Sequence, residues 1–183
     1  HRSNFTVSPD SDVPMIGTLA LVPQVVDAVG VPVLAAGGVM DGRGLAAALA
    51  LGADGVLMGT RFLLARESGT FTGYRRALWE ATEVDTVVTP TPTGRPARSL
   101  RNRLVEEMAA GYEPLSYPLQ GVAAIDIYMA AAKGDRPELF PLWVGQGLRL
   151  LKDDQGAAEI VAETVTEAAT TIGRLQGLLG QSG

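Results

Sequence analysis

The chain has 183 residues, 46% apolar and 19% charged, a balance that suits a folded domain with a sizeable core and excludes a chain disordered by composition. A formal net charge of −5 excludes a general nucleic-acid surface, which needs a basic excess to neutralise phosphates. Zero cysteine excludes disulfides, thiolate metal sites and a cysteine nucleophile, and no stretch is long and apolar enough to span a bilayer, so neither a membrane nor a metal is expected.

The start carries neither an initiator Met nor a signal-peptide pattern, and cytoplasm is the default location. Residues 1 to 20 lack sustained periodicity and read as a loop rich in Ser, Pro, Asp and Gly. Pro23 suits the first position of a short helix, where no N–H is needed; Val25, Val26 and Val29 give it an apolar face and Gly30 ends it. Val33-Leu34-Ala35-Ala36 then reads as a buried strand running into Gly37-Gly38. A helix is predicted from Asp41, a good N-cap, to Gly52, with Leu45, Ala46, Leu49 and Ala50 toward a partner. Gly42 lies beyond the strand end, where an added methyl is expected to disturb the phosphate site much less than a side chain at Gly38. Val56-Leu57-Met58 repeats the strand and ends at Gly59-Thr60.

Two parallel strands joined by a crossover helix, each with bare backbone at its carboxyl end, make a place where phosphate can be held. Glycine is the permissive residue there, because a Cβ blocks close approach and a positive φ is often needed. The arrangement points to a nucleotide or flavin site.

Downstream, Arg61 to Ala65 and Tyr74 to Ala81 read as short helices, Thr86 to Thr89 as β-prone, and Pro90 to Pro96 as an irregular loop. Arg98 to Met108, Gly121 to Ala132 and Ala157 to Leu179 are predicted helical. In the last, Val161, Val165, Ala168, Ile172, Leu175 and Leu179 recur at helical spacing as a docking face. Arg95, Arg98, Arg101 and Arg103 can grip an anion, or cap helices and pair with Glu83, Asp85, Glu106 or Glu107; the structural role is the preferred reading, with Arg95 the exception because Gly94 and Pro96 constrain it. Gln146, between two glycines after Trp143-Val144, serves either a turn or a flavin contact.

Ala35-Ala36-Gly37-Gly38-Val39, the run Asp41 to Ala53, and Met58-Gly59-Thr60-Arg61-Phe62-Leu63 resemble the seventh and eighth strand regions of the nitronate monooxygenase family. Further matches lie in Thr93 to Arg103, Tyr117-Pro118-Leu119-Gln120 and Gly145-Gln146-Gly147. The resemblance implies the C-terminal portion of an FMN-binding (β/α)8 TIM barrel, an α/β fold, followed by a helical C-terminal extension. Such a barrel typically needs about 250 residues, so the chain is expected to supply two of eight strands, with the N-terminal part of the same barrel missing. Residues 1–67 would carry the barrel strands, and 68–183 a mainly helical insertion and tail.

The resemblance also implies FMN as cofactor, with Ala36, Gly37, Gly38, Leu57, Met58, Gly59, Thr60 and Gln146 around it. His1-Arg2 stands where the family places its active-site His, which makes His1 the candidate base, since an imidazole with a pKa near ~6.5 can take a proton from carbon. The chain departs from the family in lacking the preceding glycines, in Ser3 for the usual Gly, and in Leu57 for the usual Gln. The implied activity is oxidation of alkyl nitronates, small-molecule substrates, with O2. The alternatives are an NAD(P)H-dependent flavin reductase acting on a quinone or an enoyl or acyl thioester, and a non-catalytic phosphate-binding barrel remnant.

Overall fold

A computed structural model describes residues 15–152 and 155–180. In chain order it contains α1 (Thr18–Ala28), β1 (Leu34–Ala36), α2 (Gly42–Ala50), β2 (Gly55–Leu57), a 3-10 turn (Thr60–Leu64), α3 (Thr72–Glu80), β3 (Thr86–Thr89), β4 (Ala97–Leu100), α4 (Arg103–Gly111), α5 (Leu119–Lys133) and α6 (Ala157–Gly180). Two compact units result: residues 16–68 together with the chain from Leu150 onward, and residues 69–149. No helix among the described residues is long and apolar enough to cross a membrane.

The first unit is built on a parallel pair. Leu34 lies opposite Gly55, Ala35 opposite Val56 and Ala36 opposite Leu57, with α2 as the crossover. Asp54 extends the pairing: its N–H donates to the Val33 carbonyl and its carboxylate accepts from the Val33 N–H, each at 2.8 Å. Side chains alternate across a strand, so Ala35 turns toward α1 and α2 and packs with Val22, Ala48 and Ala53. Leu34 and Leu57 take the opposite face and are 52% and 58% exposed.

Helix α1 begins five residues before the predicted start at Pro23, which lies inside it. Pro23 removes the N–H that would reach the Leu19 carbonyl, yet the first turn is held by tertiary contacts. The Thr18 hydroxyl donates to the Gly37 carbonyl at 2.9 Å, and Val22 is buried against Ala35.

Asp41 caps α2, its carboxylate accepting from the N–H groups of Arg43 at 3.0 Å and Gly44 at 3.2 Å. Gly52, at φ +89°, ends it as predicted. The N–H of Gly42 donates to the Glu167 carboxylate of α6 at 2.8 Å. There the two helices touch backbone to backbone: a Cβ on Gly42 would sit closer than 3.0 Å to Ala168 N, Glu167 Cβ and Thr164 O. A methyl at Gly42, however mild for the phosphate site, therefore carries a packing cost of its own at this crossing. The same closeness corrects the face of α6. The buried stripe is Ile160, Thr164 and Ala168; of the predicted face Ala168 is buried as expected, whereas Val161, Val165 and Leu175 are exposed. Small residues at the crossing let the backbones meet, and valines there would hold them apart.

In the second unit β3 and β4 form an antiparallel hairpin, Thr86 opposite Leu100 and Thr89 opposite Ala97. Residues 98–100 are therefore strand where helix is predicted, and α4 starts only at Arg103. The reason is pairing on both edges: Leu100 N–H donates to the Leu142 carbonyl at 2.9 Å, Val144 N–H to the Arg98 carbonyl at 3.1 Å, and the buried Ser99 hydroxyl to Leu142 at 3.0 Å. Asn102 then caps α4, its side-chain oxygen accepting from Val105 N–H at 3.1 Å while its NH2 donates to the carbonyls of Pro137 and Phe140. Phe140 is the hub of an aromatic cluster, edge-on to Phe71, Tyr128 and Trp143. Tyr74 donates its hydroxyl to the Trp143 carbonyl at 2.6 Å, and burial pushes its phenol well above the ordinary range.

Gly42→Ala is expected to cost about 1–3 kcal/mol in urea unfolding, the usual penalty of overpacking. Gly30→Ala, whose Cβ meets nothing within 4 Å, should be near neutral by the same measurement.

Asp41 carries a pH signature. Burial opposes its ionisation, but hydrogen bonds from the Arg43 side chain and the Gly44 N–H outweigh it and hold the carboxyl below its ordinary value of 3.8. A carboxyl lowered by folding contributes stability that is present above its unfolded pKa and lost as pH falls through the folded one. Asp41→Asn should flatten the acid limb of the stability profile below about pH 4, and Asp41→Ala should cost about 1 kcal/mol at neutral pH.

Candidate functional site at the strand ends

The parallel register sets the two glycine-bearing ends side by side, since Ala36 faces Leu57 and each strand stops there. Gly37 and Gly38 follow at φ +106° and +78°, left-handed conformations that L side chains rarely adopt. A Cβ on Gly38 or on Gly59 would meet nothing within 4 Å. Both glycines therefore border open space, and both positions are exposed.

Thr18 was missed by sequence reading, which placed it in a loop. Its hydroxyl donates to the Gly37 carbonyl at 2.9 Å and to the Ala36 carbonyl at 3.4 Å. In a trans peptide the N–H lies opposite the carbonyl, so pinning the Gly37 oxygen to α1 aims the Gly38 N–H away from α1. A Thr at the first position of a helix was the only signal.

After β2, Met58 is half-buried and Gly59 leads into the 3-10 turn that Thr60 opens. Arg61, next in line, turns inward and is 3% exposed. Its guanidinium donates to the Lys152 carbonyl at 3.4 Å and to the Gln155 side-chain oxygen, with the Glu163 carboxylate 3.8 Å away. No charged side chain stands among residues 36–38 and 57–60, so an anion at these ends would be met by backbone dipoles.

The structure thus gathers Ala36, Gly37, Gly38, Leu57, Met58, Gly59 and Thr60 at one end of one strand pair. Gln146 belongs to the second unit, exposed in a loop. His1 lies outside the described residues. Among the described residues no group of His, Cys, Asp and Glu has the placement to hold a metal ion.

The arginine cluster between Arg95 and Arg103 is engaged locally. Arg95 stacks its guanidinium over the Tyr117 ring at 4.1 Å, and Arg98 donates to the Thr86 hydroxyl at 2.8 Å. Arg103 pairs with Glu107 at 2.6 Å one helical turn on. Asp85, held below its ordinary value first by hydrogen bonds from the backbone and side chain of Thr82, also feels the Arg101 charge.

Comparison with known proteins supplies the context. Residues 3–167 match the family model described as nitronate monooxygenase. A probable nitronate monooxygenase of Staphylococcus aureus strain Newman is 45% identical over 152 residues, 82% of this chain and 42% of that protein. Among solved structures, nitroalkane oxidase from Streptomyces ansochromogenes superposes with a TM-score of 0.77 at 42% identity, over 85% of this chain and 45% of its own. FabK from Thermotoga maritima superposes with a TM-score of 0.74 at 35% identity, over 91% and 53%. The chain spans about half the length of these relatives.

Proposed function

The chain belongs to the nitronate monooxygenase family, and from that we propose that it is the C-terminal portion of an FMN-dependent oxidoreductase that oxidises alkyl nitronates with O2. The fold is that of the matching region of a (β/α)8 barrel. The observation that carries the reading is the pair of glycine ends, side by side and bordering open space.

In this proposal the FMN phosphate is held by backbone N–H groups of Gly37, Gly38, Gly59 and Thr60, with Ala36, Leu57 and Met58 beside it. The residues fit such a group. Open space on the Cβ side of Gly38 and Gly59 is what close approach of an anion to bare backbone requires. FMN, when bound, supplies the electron transfer between nitronate and dioxygen. The chain supplies orientation: Thr18 fixes the Gly37 peptide, and the register fixes the distance between the two ends. His1 is proposed as the catalytic residue: its imidazole would take the α-proton of a substrate that arrives as the neutral nitroalkane, leaving the nitronate, and would position the oxygen of one that arrives already as the nitronate.

The exposed face of Leu34 and Leu57 supports a second part of the proposal. Apolar side chains at alternate strand positions need cover, and the remaining strands of the same barrel would supply it.

A second reading, an NAD(P)H-dependent reductase of a quinone or an enoyl or acyl thioester, draws on the likeness to FabK. The two readings differ in their electron donor. Mixed anaerobically with an alkyl nitronate, the intact flavoprotein should lose its flavin absorbance, and NADH alone should leave it unchanged. Rapid bleaching by NADH would favour the reductase, and a colourless protein that takes up no FMN would favour the non-catalytic remnant.

Gly38→Val tests the phosphate site. A branched side chain at a left-handed position that borders the site should weaken FMN binding about a hundredfold, as expected when charge-assisted hydrogen bonds are lost, with helix content by circular dichroism nearly unchanged. Unchanged FMN affinity would remove the phosphate from these strand ends.

A further inference from the structure

Arg61 is a buried cation one residue beyond the proposed phosphate turn, and its side chain turns inward, away from the open strand ends. The guanidinium reaches the Lys152 carbonyl, the Gln155 side chain and the Glu163 carboxylate, which lie just before α6 and in its second turn. These partners are tied to one another. Gln155 donates to Glu163 at 2.8 Å, and the Lys152 ammonium also donates to Glu163. Burying a guanidinium is costly unless its donors are met, so the network holds Arg61 in one geometry. Because Arg61 sits inside the 3-10 turn that begins at Thr60, that turn cannot rotate without pulling the guanidinium from its two acceptors and from the Glu163 charge.

We propose that Arg61 is a positioning residue for phosphate: its tether to Lys152, Gln155 and Glu163 orients the Gly59 and Thr60 peptides before any ligand arrives. The inference rests on the reading of these strand ends as the FMN phosphate site. Its physical content is preorganisation, since donors already aimed do not have to be ordered on binding. The same stretch is also fastened to the start of α6 by exposed contacts, Arg66 to Glu159 at 2.7 Å and Glu67 to the Ala157 N–H at 2.9 Å. Those fasteners lie a turn or more beyond the glycine and serve as the comparison.

The test compares FMN with riboflavin, which lacks the phosphate, by flavin fluorescence titration of the intact apoprotein at fixed ionic strength. Wild type should prefer FMN. Arg61→Met should weaken FMN about tenfold to a hundredfold and leave riboflavin nearly unchanged, the span expected for misaligned charge-assisted hydrogen bonds. Arg61→Lys should recover part of the preference. Gln155→Ala, which removes a hydrogen-bond acceptor, and Glu163→Gln, which removes the carboxylate charge, both keep the cation and should shift the ratio the same way by less, and they carry the test if Arg61→Met does not fold. Arg66→Ala should lower the melting temperature slightly without moving the ratio. Equal weakening of both flavins by the Arg61, Gln155 and Glu163 variants, or an unchanged ratio, would reduce Arg61 to a structural fastener and overturn the inference. A wild type that binds FMN and riboflavin alike would overturn the phosphate reading itself, and this inference with it.

Discussion

The parallel pairing of β1 with β2 sets the terms for everything else in the first unit. Parallel neighbours cannot be joined by a tight turn, so a crossover is obligatory, and α2 is that crossover. The helix must then cover one face of the strands, which buries Ala35 against Val22, Ala48 and Ala53. The pairing also places both carboxyl ends at the same height, with Ala36 level with Leu57, so that two separated glycine motifs become one locus. A slip of one residue would turn Ala35 outward and set the two ends out of step.

Helix α2 depends in turn on how closely α6 can approach it. At Gly42 the two backbones meet with no room for a methyl, and Glu167 receives the N–H that the first turn cannot satisfy internally. Small side chains here do the work that large apolar ones do elsewhere in cores. A buried stripe of Ile160, Thr164 and Ala168 lets α6 lie flat on α2, and the Thr164 hydroxyl turns back to the Ile160 carbonyl at 2.7 Å so that no polar group is stranded. From the other end of the same region, Arg61 links the turn after β2 to the residues that open α6. Helix α6 is thus linked to the turn that follows β2.

The second unit obeys a different constraint, satisfaction of backbone groups around a short hairpin. β4 is paired on one edge by β3 and on the other by residues 142–144, which is why Ser99 is fully buried in a stretch that looks helical by composition. Asn102 ends the strand and starts α4 in one residue, spending its oxygen on the helix and its NH2 on two carbonyls near Phe140. Arg95, Arg98 and Arg103 are engaged locally by an aromatic ring, a hydroxyl and a carboxylate.

What was legible in the sequence was what short-range chemistry controls. Asp41 and Gly52 bound α2 because a carboxylate cap and a left-handed glycine act within a few residues, and the glycines after each strand marked the strand ends because bare backbone is a local property. The family resemblance was legible for the same reason, being carried by contiguous runs. What tertiary structure alone decided were matters of long-range contact. It placed the start of α1 at Thr18, because a hydroxyl could reach the Gly37 carbonyl nineteen residues away. Residues 98–100 became strand because partners waited on both edges, and α6 turned by one residue because Gly42 admitted only a close neighbour. Arg61 went inward because its acceptors lie some ninety residues further along the chain, a distance at which sequence pattern carries no signal and only packing can choose.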